Sequence, residues 1–161
     1  GGFIGITGNC TYGAGVAKIA ESSSLPQKDA KKLHEGYWAR NWSVKKYAED
    51  QKVKNVEGKS WIWNPITNFY YFLASEKDRF SACNQSAGVR VFDGYVYEMI
   101  KRGVRPIFQA HDEVLLRVKK EDVDSTTSAL KEAINKVNAQ YKFPVEIEID
   151  IQTGMTYADV H

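Results

Sequence analysis

The sequence predicts an α+β fold, an antiparallel sheet carrying helices on one face, and three observations predict it. From Glu76 to Arg102 no proline occurs, and Phe80, Cys83, Ala87, Val91, Tyr95 and Met99 recur in three- and four-residue steps, the period of one buried helical face. "RPIFQA" and "EVLLRV" are apolar runs that meet at His111 and Asp112, the pattern of a tight hairpin. "EDVDSTTSALKEAINKVNAQY" then reads as a helix buried through Val123, Leu130, Ile134 and Val137, and "FPVEIEIDI" alternates as a half-buried strand near a sheet edge.

The elements before these read as follows. "GVAKIAESSSLPQKDAKKLHEGYWARNW" predicts two helices divided by a serine cluster, with Ser24 capping the second and Pro26 in its first turn. Ala30, Leu33, Tyr37 and Trp38 mark that second helix's inner face. Ser43 is placed to cap a third helix, "VKKYAEDQKV". "SWIWNP" and "FYYFLA" then form an aromatic-rich hairpin. The long helix ends at Gly103, and its internal Gly88 and Gly94 each cost roughly 1 kcal/mol relative to alanine, which points to close packing or close approach by a ligand.

The 161 residues suffice for one domain with a hydrophobic core, and 43% apolar with 26% charged residues excludes wholesale disorder. No apolar run approaches the roughly 20 residues of a membrane span, and no secretory signal is visible. The net charge of +2 makes no argument for a nucleic-acid partner. Its distribution says more: Gln27 to Lys59 carries an excess of Lys and Arg, whereas "VEIEID" is acidic. A basic helical face either follows a phosphate backbone or is simply solvated. Cys10 and Cys83 have neither metal-ligand nor close disulfide spacing and suit a reducing compartment. The opening Gly-Gly fits a cloning scar, a processing site or the division of a longer polypeptide.

His111, Asp112 and Glu113 at a hairpin tip place carboxylates off the end of a sheet, where a divalent cation can be held once a second carboxylate and phosphates join them. Polar turns are common, so the tripeptide alone is weak. "NCTYGAG", "NQSAG" near the start of the long helix and "HDE" in the hairpin occur in that order. This set resembles the C-terminal part of family A DNA polymerases, the superfamily of bacterial DNA polymerase I and its phage relatives. The resemblance runs from about Cys10 to the end of the chain. It implies a helical fingers segment over residues 1–57 and a palm subdomain over 58–161.

That resemblance implies roles residue by residue. Asp112 looks like one of two palm aspartates that hold two catalytic Mg2+ ions, with Glu113 as supporting carboxylate. His111 resembles a residue at the primer end. Gln85, beside Asn84, resembles a palm-helix glutamine in the duplex minor groove, where acceptors are similar for all base pairs. Tyr12 and Gly13 resemble the fingers pair beside the incoming dNTP, and Arg79 a residue meeting backbone phosphate. The implied partners are DNA primer-template and dNTP, in a cytoplasm, that of a bacterial host if the chain is phage-encoded. Each residue also has a plain structural reading: Tyr12 as a packed helix-end aromatic, Gln85 as a solvated side chain, Arg79 as part of a charge run. Trp61, Trp63, Phe69, Tyr70, Tyr71 and Phe72 read first as a hairpin's packing surface and second as a base-stacking platform.

Two departures bear on function. No Asp-x-Ser-x-x-Glu pattern, which carries the family's first metal-binding aspartate, occurs in these residues. The position of the triphosphate-binding lysine, eight residues before Tyr12, is Ile4. Asn9-Cys10 either resembles an intein's downstream junction, in which case residues 1–9 are an intein tail, or is a chance pair in a loop. In-line transfer by two metals needs both carboxylates. The expectation is a split enzyme in which a second polypeptide supplies the first aspartate, thumb and upstream fingers and shares one or both Mg2+ ions. A non-catalytic nucleic-acid-binding subunit is the alternative.

Overall fold

A computed structural model describes residues 10–160. Ile4, Asn9 and the supposed intein tail lie outside the described residues, as does His161. The chain divides into two compact units, one through Gly88 and one from Val89 onward.

In the first unit, helices α1 (Val16–Ser23), α2 (Gln27–Arg40) and α3 (Trp42–Asp50) precede strands β1 (Val53–Val56), β2 (Lys59–Asn64) and β3 (Phe69–Leu73). Ile19 and Ala30 close a small core with Cys10, against which Tyr37 packs. Ser24 terminates α1 rather than capping α2. It adopts the left-handed conformation, φ 53°, and the amide of Leu25 donates to the Ala20 carbonyl at 3.1 Å, so the serine cluster is a helix stop. Pro26 opens α2, its carbonyl accepting from Asp29 and Ala30. Ser43 lies inside α3, which starts at Trp42, and makes no cap.

The aromatic hairpin proves to be a three-stranded antiparallel sheet in the order β1-β2-β3. The expected third helix stops at Asp50 and hands the chain to β1. Glu57 (φ 51°) and Gly58 (φ 74°) form the two-residue turn into β2, both left-handed as a hairpin that matches sheet twist requires. The sequence boundary at 57/58 thus coincides with a turn between paired strands. Buried Asn64 ties the sheet to the following helix, its amide donating to the Cys83 carbonyl at 2.8 Å and to Ser86 Oγ at 2.7 Å.

The long helix α4 (Arg79–Lys101) crosses the division between the units. In the second unit Tyr95 and Met99 of α4 pack on Leu130, Ala133, Ile134 and Val137 of α5 (Val123–Tyr141), the helical faces expected from the spacing. A Cβ on Gly94 would sit 4.0 Å from the Tyr141 ring, ordinary contact, whereas Gly88 faces open space. Strands β4 (Phe108–Ala110) and β5 (Glu113–Leu115) form the expected hairpin.

"FPVEIEIDI" forms no strand among the described residues. Its alternation survives in part: Ile149 and Ile151 pack on the α4–α5 core, while Val145 is 78% exposed. The Asn138 side chain brackets Ile147, donating to its carbonyl and accepting from its amide, both at 2.9 Å. An extended segment becomes a strand only when a neighbour supplies the ladder, and none does so here.

At the end of α4, Glu98 is buried and accepts from Arg102 at 2.6 Å and from Lys101 at 3.2 Å. Arg102 also lies 3.6 Å from Glu132 of α5. The Arg102 hydrogen bond holds the Glu98 carboxyl below its ordinary value of 4.5. A depressed carboxylate stabilises the fold above its unfolded pKa, and that contribution is lost as pH falls through the folded value. Stability is therefore expected to drop on acidification below about pH 4.5. Glu98→Gln should flatten that drop in urea melts across pH; an unchanged pH profile would contradict the assignment.

Candidate functional site

The singled-out residues fall into the two units, and each set is built locally. In the second unit the apolar runs 107–110 and 113–116 close on a two-residue loop, with Ala110 opposite Glu113. Closure puts His111 at φ 51°, a region sparsely used by residues other than glycine, though histidine enters it more readily than most. His111, Asp112 and Glu113 are all exposed at this tip. The geometry leaves the Asp112 carboxylate at the end of the sheet, ahead of the last backbone pair.

Asp112 and Glu113 border a cleft of about 1110 Å³. Its lining includes apolar Ile107 and Phe108, basic Arg117 and acidic Glu148 and Asp150. Tyr95 lines its floor, and burial pushes that phenol up to about 12. Sequence reasoning noted the acidity of 145–150 without linking it to the hairpin. The signal was the alternation itself: Glu148 and Asp150 are exposed where Ile149 and Ile151 pack on the core, and all four line this cleft.

Hard carboxylate oxygens are the donors Mg2+ takes, so Asp112 and Glu113 fit in kind. They do not fit in number. Among the described residues no group of three or more His, Cys, Asp or Glu side chains is arranged to hold a metal ion. Water, substrate phosphates and a further carboxylate would have to complete the shell.

A second, smaller cleft of about 400 Å³ is bordered by Arg105, Arg117, Lys119, Ser125 and Thr126, with the acidic Asp122 also in its lining. Arg105, Arg117 and Lys119 form no ion pair among the described residues. Cations and hydroxyls so gathered can receive an anionic group.

In the first unit Tyr12 is 48% exposed, and Gly13 follows at φ 83°. The close approach expected of Gly13 is to the protein's own backbone, since a Cβ there would meet the Lys77 carbonyl oxygen at 3.0 Å. The Tyr12–Gly13 turn is thereby seated against the chain entering α4. Left-handed backbone costs an L-residue about 1–2 kcal/mol. Gly13→Ala is accordingly expected to destabilise by about 1–3 kcal/mol in urea unfolding, and an unaltered midpoint would contradict this.

Arg79 is held within the protein. Its Nε donates to Glu76 at 2.6 Å and its Nη1 to the Glu49 carbonyl at 3.3 Å. Asn84, Gln85 and Gly88 are exposed along one stretch of α4, where Asn64 anchors the adjacent turn at Cys83 and Ser86. The structure so brings Tyr12–Gly13 and the α4 start together through Lys77, and His111, Asp112 and Glu113 together at the hairpin tip.

The helices and small antiparallel sheets define an α+β fold. No family model matches the chain, and no curated protein matches it. Among solved structures it is similar to the POL domain of Pol1 from M. smegmatis, determined in complex with DNA primer-template and dNTP. The TM-score is 0.64 at 15% identity, over 83% of this chain and 26% of the other. The chain thus spans about a quarter of that neighbour's length, and at this identity the likeness establishes the fold.

Proposed function

We propose that this chain is the C-terminal fragment or subunit of a phage-type family A DNA-directed DNA polymerase. A second polypeptide carrying the first catalytic aspartate completes it. The observation that carries the reading is the exposed Asp112–Glu113 pair on a two-residue hairpin tip, within a fold similar to a polymerase domain. Asp112, aided by Glu113, would hold Mg2+ once further ligands joined them, and the ion would supply charge stabilisation at the phosphates. His111 positions the primer end, and Tyr12, with Gly13 behind it, borders the incoming dNTP. Gln85 and Asn84 meet the duplex from the exposed side of α4, and the basic cleft at Arg105, Arg117 and Lys119 suits DNA backbone. Arg79, engaged by Glu76, serves that stretch by fixing the start of α4 and would reach phosphate only by exchanging partners.

The extended segment at 145–151, which pairs with no strand among the described residues, favours a partner chain. An alternating segment beside an exposed edge is a natural acceptor for an added strand. A cytoplasmic setting follows from this reading, and among the described residues no helix is long and apolar enough to cross a membrane.

The test is single-nucleotide incorporation on a primed template, by the chain alone and co-expressed with a polypeptide bearing the Asp-x-Ser-x-x-Glu pattern. Magnesium-dependent, template-directed extension by the pair alone is the expected result. Unaided extension by a monomer would overturn the split arrangement. A stable pair that binds primer-template and never extends it would favour the non-catalytic alternative.

A further inference from the structure

The sheet of the first unit has two unlike faces. Ile62 and Leu73, fully or nearly buried, point inward with Val53 and Tyr71 onto Cys83 and Ala82 of α4. The strand register places Lys54, Lys59, Trp61, Trp63, Tyr70 and Phe72 on the opposite face. The four rings form two cross-strand pairs, Trp61 with Phe72 at 5.8 Å between centroids and Trp63 with Tyr70 at 4.9 Å. Lys54 reaches across β2 to lie 3.8 Å over the Tyr70 ring, which confirms that β1, β2 and β3 share this face.

None of the four rings belongs to a buried cluster among the described residues; Phe72 is 54% exposed, and Trp61, Trp63 and Tyr70 are half-buried. The three strands contain no Asp or Glu. Lys54 and Lys59 form no ion pair among the described residues. Cross-strand aromatic pairs stabilise a sheet on their own account. That does not explain why they face outward while Ile62 and Leu73 face in, nor why the strands themselves carry lysines and no acidic residue.

We infer that this outer face binds single-stranded nucleic acid, bases stacking on the Trp61–Phe72 and Trp63–Tyr70 pairs and phosphates meeting Lys54 and Lys59. Nucleobases stack on aromatic rings whatever their sequence, and lysines beside the rings supply counter-charge for the backbone. Spacing argues for a single strand. Trp61 and Trp63 are two residues apart on β2, about 6.7 Å along it. That is roughly twice the 3.4 Å rise of stacked duplex bases, so it suits an extended strand with one base per aromatic pair. The site stands independently of Asp112 and its metal, and a template overhang is the strand it would receive in a polymerase.

The experiment is fluorescence anisotropy with a labelled (dT)12 oligonucleotide and the intact chain. Phe72→Ala, which truncates a half-exposed ring, is expected to weaken binding about five-fold or more. Phe69→Ala, a more exposed ring on the opposite face, should leave it unchanged. Lys54→Gln and Lys59→Gln should each lower the slope of log K against log salt by about 0.7. Equal affinity for Phe72→Ala would overturn the inference. So would a wild-type dimer that Phe72→Ala splits without loss of (dT)12 binding, because the face would then contact protein. Primer extension is not the readout, so failure of the polymerase reading and failure of this one are separable.

Discussion

Asp112→Ala is expected to lower single-nucleotide incorporation by the completed enzyme at least about a hundred-fold. A carboxylate holding Mg2+ contributes several kcal/mol of charge stabilisation at the transferring phosphate, and each 1.36 kcal/mol is a factor of ten in rate. Its exposure at the hairpin tip means that substitution removes no packing, so the urea midpoint should stay at the wild-type value. Asp112→Asn keeps the shape and removes the charge, and should be nearly as slow. Glu113→Ala should lose less, since that side chain is assigned a supporting place. Extension at near wild-type rate by Asp112→Ala would show that the residue holds no metal.

Met99→Ala is expected to destabilise the protein by about 2–5 kcal/mol, the largest effect on folding. Met99 is fully buried where α4 meets α5, among Tyr95, Leu130, Ala133, Ile134 and Val137. Val114 and Leu116 pack on the same cluster, so the core that holds the two helices also supports the strand leading out of the His111–Asp112 tip. Truncation removes both transfer energy and packing, leaving a cavity the helices only partly close. Its neighbour Ile100 is 46% exposed, and Ile100→Ala should cost under about 1 kcal/mol. Equilibrium urea unfolding of the two variants checks this. Equal midpoints would mean that the face of α4 was assigned wrongly.

The helices were legible wherever a long period left little choice. The steps through Cys83, Tyr95 and Met99 admit only a helix, and all three residues are buried. Local chemistry near helix ends was ambiguous. Ser24 can open a helix through its hydroxyl or close one in the left-handed conformation, and only the path into Leu25 and Pro26 decides for closing. β1 was missed because "VKNV" is short, polar and continuous with a helical pattern. The readable signal was Glu57-Gly58, a turn pair that implies a strand on each side.

The segment at 145–151 shows the opposite failure. Its alternation is strong, yet a strand depends on a ladder partner that no local pattern contains. The aromatic hairpin fails for a related reason. Period two announces two faces, but only the packing of Ile62 and Leu73 on α4 reveals which one is covered. At the site, His111 to Glu113 could be placed at the tip because the apolar runs leave two residues for the turn. That Gly13 abuts Lys77, and that Glu76 engages Arg79, are long-range or rotameric facts with no sequence signature.

The proposed function requires Asp112 to be a metal-holding carboxylate of a nucleotidyl-transfer site. Its most direct test replaces Mg2+ by Fe2+ in the completed complex with primer-template and dNTP, and maps peptide cleavage by locally generated hydroxyl radicals. Cleavage of this chain at residues 111–113, abolished by Asp112→Ala, is the expected result. Cleavage confined to other positions, or persisting at 111–113 in Asp112→Ala, would contradict it.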